Sequence, residues 1–234
     1  ETYLLQVKGR MYDSSFVSIL IPDSRPLPGL PLVALHTHAH FPELRIQLTY
    51  SAYSEEFVKS HRVFRALLEN GILVLTALPT PYFDMKHMTL STYSQMLESK
   101  EFWQATLTRK VLLVQADACL CNGARDRLQQ FLQYDYVGAP FPLGTEGPCK
   151  GAGNGGFSVR DSAAMQRAIE VRGKSQDSFQ RAFEDRFFCA QSDLFAVAPR
   201  AVSMEFSRTQ RLSDEAHYKG SIDRIVGGGF RLRF

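Results

Sequence analysis

The chain has 234 residues, 44% hydrophobic and 22% charged, with a formal net charge of +3. These values argue against a disordered polymer and suit one large domain with a substantial core. So small a charge, without any long run of Lys or Arg, argues against a nucleic-acid surface and leaves room only for a mildly basic cleft that could face a diphosphate.

No apolar stretch approaches the roughly 18–20 residues needed to span a bilayer. The chain opens on Glu1 and reads as an excised fragment, so the compartment stays open between Golgi lumen and cytoplasm. The first half alternates short apolar runs with helix-like segments, the pattern of a mostly parallel sheet flanked by helices. Val17–Ile21 is a continuous apolar run ending at Pro22 and predicts a buried first strand. Residues 30–41 read as a helix and Ile46–Tyr50 as the second strand. Ser54 is placed to cap a helix carrying Phe57, Phe64, Leu67 and Leu68, which Asn70-Gly71 would stop. Residues 72–78 form the next strand, closed by Pro79, and 89–107 one helix bearing Tyr93, Met96, Leu97 and Trp103.

Residues 111–114 predict the central strand, followed by a short helix through Leu128, Phe131 and Leu132. Tyr136–Ala139 and residues 156–159 are further strands. Asp161 is set to cap a helix that Gly173 ends, and 178–189 forms the last helix. Strands are expected near 195–197 and 202–206. Residues 142–153 read as a Gly/Pro-rich binding loop or lid, and the segment from Ser213 onward as a partly mobile tail.

Cys119, Cys121, Cys149 and Cys189 make neither a CxxC pair nor a zinc pattern, so free thiols are expected. A Cys149–Cys189 bridge is the alternative for a luminal protein. His36, His38 and His40 invite a metal reading, but in a helix His38 would point away from the other two.

The strongest chemical signal is KVLLVQADACLC at 110–121. Its Gln115-Ala116-Asp117 places a carboxylate at the carboxyl end of a central strand, the edge where open α/β sheets bind ligands. Asp117 suits a hard cation such as Mg²⁺ or Mn²⁺, or simply caps the short helix after it. Asn154-Gly155-Gly156 lets backbone approach a ligand closely, or forms an ordinary turn into a strand. Around FEDRFF at 183–188, Phe179, Phe183 and Phe187 make a helical packing stripe, leaving Glu184 and Asp185 off it, as a general base or as a solvated face.

Taken in order, these pieces resemble an uncharacterised domain family described as glycosyltransferase-like. Its motifs run E-T-R-P, S-x-Y-N, F-Q-T-D-S, F-x-x-Y-D-Y-I-G-A-P, N-G-G-F-S-L-R and E-D-x-x-F. Here the chain has Asp23-Ser24-Arg25-Pro26, Ser91-Thr92-Tyr93-Ser94 and Val114-Gln115-Ala116-Asp117-Ala118, then the run from Phe131 to Pro140, Asn154 to Arg160, and Glu184-Asp185 with Phe187-Phe188.

The resemblance implies a single GT-A-like α/β domain over 1–234 with a Rossmann-like, mostly parallel central sheet. Its nucleotide-binding half would cover about 16–122, its acceptor-side half about 123–212, and its tail 213–234. It implies transfer of a sugar from a nucleotide-sugar donor, UDP being the commonest nucleotide among similar folds, to a hydroxyl on a glycan, protein or lipid. Arg25, with Asp23, would lie near the nucleotide, and Gln115 would replace the first carboxylate of an Asp-x-Asp pair. Asp117 would hold Mn²⁺ or Mg²⁺, with His217 the one late histidine to complete the shell. Asn154, Gly155 and Gly156 would line the donor-sugar side, and Asp185, beside Glu184, would be the base of an inverting reaction. Ser94 stands where the family has Asn. The competing readings are a nucleotidyltransferase, against which the lack of a Gly-rich loop after the first strand speaks, and a non-catalytic sugar- or nucleotide-binding domain.

Overall fold

A computed structural model describes residues 12–142, 147, 149, 153–173 and 183–207. Its centre is a six-stranded sheet built from β1 (Val17–Ile21), β2 (Ile46–Tyr50), β3 (Leu73–Ala77), β4 (Lys110–Val114), β5 (Tyr136–Ala139) and β6 (Asn154–Asp161), in the order β3-β2-β1-β4-β6-β5. The first four strands pair in parallel, whereas β6 lies antiparallel between β4 and β5. The sheet is therefore mostly parallel, with one reversed strand in its second half.

Alternation along the strands separates two cores. Ile19, Ile21, Leu112, Val114 and Val159 face a cluster with α1 (Leu30–His40) and α3 (Arg62–Glu69). Leu20, Val111, Leu113 and Tyr136 face the other, with α4 (Leu90–Leu97), α5 (Lys100–Gln104), α7 (Ser162–Arg172) and α8 (Glu184–Cys189). With both faces covered, β1 and β4 are buried at every position, which is why they read as apolar runs but for Ser18 and Lys110.

At the edge away from the strand ends that carry the motifs, buried Lys110 donates to the Tyr134 carbonyl at 2.8 Å. It also pairs with Asp135 at 3.1 Å and Asp161 at 3.2 Å. Asp161 caps α7 through the Ala164 N–H, and Gly173, at φ +64, ends that helix.

Several expectations are corrected. The helix from Ser54 breaks at His61, whose extended backbone closes α2 (Glu55–Ser60) while its ring accepts from the Val63 N–H to start α3. The helix over 89–107 breaks at Glu98-Ser99, giving α4 and α5. Residues 202–206 are not a strand but lie in α9 (Arg200–Phe206), which Pro199 initiates with its fixed φ. Phe206 there stacks on Phe157 and meets Phe131 edge-on. Residues 195–197 form no regular strand: Val197 makes a single parallel bridge to Tyr136, whose N–H donates to the Ala196 carbonyl at 3.2 Å. The last helix keeps only its Glu184–Cys189 part among the described residues, and most of 142–153, the tail from Ser213 and His217 lie outside them.

Cys149 and Cys189 are not free thiols but form a disulfide with Cα atoms 5.1 Å apart. Either side of it, Tyr136 donates to the Gly153 carbonyl at 2.8 Å and Arg186 of α8 lies over the Phe141 ring. Cys119 and Cys121 remain outside any disulfide.

Candidate functional site

The carboxyl ends of β1 and β4 and the amino end of β6 meet at one edge, because β6 runs the other way. The Gln115 N–H donates to the Gly156 carbonyl at 2.8 Å, joining the QAD and NGG segments directly. Beyond β1, the carboxylate of buried Asp23 accepts from the Arg25 N–H at 2.9 Å, Nε at 3.0 Å and Nη2 at 2.8 Å. That fork fixes a guanidinium whose side chain is 60% exposed to solvent. Hydrogen bonding to Asp23 holds Arg25 above its ordinary pKa, and Tyr93 and exposed Asp117 add to the same field. Asp23, Arg25, Tyr93 and Asp117 thus share one electrostatic neighbourhood.

The glycines of the NGG segment make room for the protein's own side chains. A Cβ on Gly156 would lie 2.4 Å from Gln115 Oε1. One on Gly155 would lie 2.1 Å from Arg160 Nη2 and 2.8 Å from Glu184 Oε1. Asn154 turns inward, its Oδ1 accepting from the Gly156 N–H at 3.0 Å. Gln115 donates through Nε2 to the Tyr93 hydroxyl at 3.0 Å. Burial, then the Glu184 charge, pushes that phenol well above its ordinary pKa, so it stays protonated.

Beneath this edge lies a buried ionic centre. Arg160 is fully buried among the rings of Trp103, Tyr136 and Phe188, 5.6, 5.2 and 5.6 Å from its guanidinium carbon. Its Nη2 donates to Glu184 Oε1 at 2.9 Å and to the Gly155 carbonyl at 3.2 Å, and its Nε to Ser158 Oγ at 2.9 Å. Nη1 is buried with no acceptor among the described residues.

The acidic pair is therefore no solvated helix face. Glu184 and Asp185 open α8 from inside the protein, at 5% and 9% exposure, because the helix starts at Glu184 and its first turn docks on β6. Asp185 accepts from the Gly155 N–H through Oδ2 at 3.2 Å and from the Arg186 N–H through Oδ1 at 2.7 Å. Burial first, then the neighbouring Glu184 charge, pushes its carboxyl up to about 7, against the lowering effects of the two N–H groups and Arg160.

The structure thus gathers Asp23, Arg25, Gln115, Asp117, Asn154, Gly155, Gly156, Glu184 and Asp185 at one sheet edge. Sequence reasoning missed Arg160, and one signal marks it. In β6, positions 154, 156, 158 and 160 share a face, so Arg160 must turn into the core and needs a buried acid there. Among the described residues, no three His, Cys, Asp or Glu side chains gather as a cation would require. Asp117 offers one carboxylate, and Gln115 offers an amide already bonded to Tyr93. The described residues alone do not complete a cation site, and no chemical step is assigned to one. His36 and His40 stack edge-on at 4.7 Å, with His36 Nε2 at the Leu120 backbone.

The chain belongs to a family described as a protein of unknown function (DUF5672), whose match spans residues 76–222. That span includes every motif residue from Tyr93 to Asp185 and begins after Asp23 and Arg25. No curated protein matches the chain. Among solved structures it is similar to the mannosyltransferase PcManGT from Pyrobaculum calidifontis in complex with GDP-Man and Mn²⁺, at TM-score 0.47 and 13% identity over 70% of this chain and 48% of that one. It is similar to S. aureus TarS 1-349 at TM-score 0.46 and 9% identity, over 74% of this chain and 55% of that one. A third is 4-diphosphocytidyl-2C-methyl-D-erythritol synthase from Anaerococcus prevotii DSM 20548, at TM-score 0.40 and 12% identity, over 72% of this chain and 81% of that one. The chain spans about half the length of the first two.

Proposed function

We propose that this chain is a glycosyltransferase domain that moves a sugar from a nucleotide-sugar donor to a hydroxyl acceptor with inversion. The observation that carries the reading is Asp185, a buried carboxyl bonded to the Gly155 N–H at the sheet edge that also holds Arg25 and Asp117, where burial and the Glu184 charge push it up to about 7. A base poised near the working pH is what deprotonation of an alcohol during attack requires. The order of motifs along the chain supports the same reading.

In the reaction, the acceptor oxygen forms its bond to the anomeric carbon while its proton passes to Asp185. The bond from that carbon to the diphosphate oxygen breaks, and the diphosphate leaves with the electron pair. The Asp23-braced guanidinium of Arg25 faces the charge that develops there. Because the base acts opposite the leaving group in one displacement, the anomeric configuration inverts. The disulfide favours the Golgi lumen over the cytoplasm, since such bonds persist in oxidising compartments.

The test is a thermal-shift screen of UDP- and GDP-linked sugars, with and without Mn²⁺ or Mg²⁺, followed by assay of nucleotide release. We expect a donor that raises the melting temperature and is turned over. Asp185→Asn should lower turnover by roughly a hundredfold or more while donor affinity changes little. Donor binding without turnover in the native protein, or a retained anomeric configuration, would overturn the proposal.

A further inference from the structure

Two adjacent carboxylates at one buried site pose a question that the reaction alone does not answer. Both are held inside the protein, one residue apart, and a single proton transfer needs only one of them. What distinguishes them is the cation. Arg160 reaches Glu184 Oε1 at 2.9 Å, whereas the direct hydrogen-bond donors to Asp185 are backbone N–H groups of Gly155 and Arg186.

Resting on the transferase reading, we propose that Arg160 is a positioning residue that divides the acidic pair: it holds Glu184 as its fixed counter-charge and leaves Asp185 as the carboxyl that takes up and releases the proton. The geometry makes the division rigid. Three aromatic rings enclose the guanidinium, and the same Nη2 that reaches Glu184 also holds the Gly155 carbonyl. The N–H of that residue reaches Asp185. Gly155 thus bonds the cation through one backbone group and the proton carrier through the other. A side chain at position 155 would enter the space of all three groups, so the glycine belongs to the same device.

The charged and titratable groups facing Asp185 come from three elements. Glu184 lies beside it in α8, Arg160 faces it from β6, and the Tyr136 phenol, raised well above its ordinary pKa by burial, faces it from β5. From α4, Tyr93 faces Glu184. The Arg186 guanidinium, next in sequence, lies over the rings of Phe141 and Phe183, 5.5 and 5.2 Å from their centres. Arg160 and Glu184 are joined as an ion pair, so their charges are felt at Asp185 as opposed effects.

The experiment follows the Asp185 carboxyl carbon by NMR in ¹³C-aspartate-labelled protein, assigned by its loss in Asp185→Asn, across pH 5–9. Removing the Glu184 charge with Glu184→Gln should move the Asp185 midpoint down by about one pH unit. Arg160→Gln, which leaves Glu184 unopposed, should move it up by a similar amount, and the double variant should return it to within about half a unit of native. Arg160→Lys retains the charge and should also stay within about half a unit. Should Arg160→Gln lack a cooperative melting transition, Glu184→Gln and Arg160→Lys decide the matter. A midpoint that does not fall in Glu184→Gln, or that shifts by more than about one unit in Arg160→Lys, overturns the proposal. Because the readout is a proton and not turnover, it is separable from the transferase reading. If the midpoint moves as stated while turnover does not track it, Asp185 is not the base and the coupling stands.

Discussion

Gly155→Ala tests the buried centre with a single methyl group. The added carbon would lie 2.1 Å from Arg160 Nη2, 2.8 Å from Glu184 Oε1 and 3.0 Å from Asp185 Cβ. Unstrained contacts between heavy atoms lie near about 3.5–4.0 Å, so the overlap exceeds what small adjustments absorb. A flexible side chain would swing away, but Arg160 is packed among Trp103, Tyr136 and Phe188 and has no route to solvent. Relief requires either pushing β6 off α8 or breaking the Arg160–Glu184 pair. Overpacking alone costs about 1–3 kcal/mol, and a broken buried pair about 3–5 kcal/mol. We expect a loss of about 3–5 kcal/mol, a large share of the roughly 5–15 kcal/mol that holds a domain folded.

The control is Gly71→Ala, where nothing lies within 4 Å of the new carbon and the cost comes from φ +68 alone. That positive φ should cost about 1–2 kcal/mol. Urea unfolding of both variants provides the comparison. Equal losses, within about 1 kcal/mol, would mean that Arg160 is not held where the structure has it.

Asp185→Asn should combine lost turnover with gained stability. A carboxyl raised to about 7 in the folded protein stabilises fully below its unfolded value of about 4, and that contribution is lost as pH rises through about 7. Scanning calorimetry at pH 5 and pH 8 should therefore find the variant's advantage larger at pH 8; an advantage larger at pH 5 would reverse the sign. Asp117→Ala should abolish transfer with a stability change within about 0.5 kcal/mol, since the side chain is exposed, and chemical denaturation beside a turnover assay checks both. Cys189→Ser opens a bond closing 40 residues of chain and should cost about 4 kcal/mol by loop entropy, measured as a lower melting temperature under otherwise identical conditions.

The first half of the fold is legible in the sequence because parallel strands buried on both faces announce themselves as apolar runs, as Val17–Ile21 does. Local chemistry is legible too: the Asp161 cap and the Gly71 and Gly173 stops depend only on neighbours in sequence. The long helices mislead where one residue decides, since His61 in extended backbone interrupts a pattern that periodicity carries straight through. Residues 202–206 mislead because Val202 and Phe206 bury one side equally well as strand or helix, and Pro199 settles it. That Gln115, Gly155, Gly156 and Asp185 come to one sheet edge is readable from motif order. The inner side of the site is not, because whether Glu184 and Asp185 face water depends on which partner α8 meets, and that partner, Arg160, is 24 residues away. The sequence offers the Cys149–Cys189 bridge as an alternative but does not decide it for the same reason: 40 residues separate its ends.

The reversed direction of β6 gives the two ends of the sheet different roles. A parallel strand delivers its residues to the site as it finishes, and β6 delivers Asn154 as it begins. Ala139, where β5 ends, and Asn154, where β6 begins, therefore both lie at the site edge, whereas the far end is pinned by Lys110 to both Asp135 and Asp161. The acidic pair arrives separately, on a helix bound to the site edge by Cys149–Cys189. The place of the acidic pair is thus set by a helix and a disulfide, independently of the strand that brings Asn154 to the same edge.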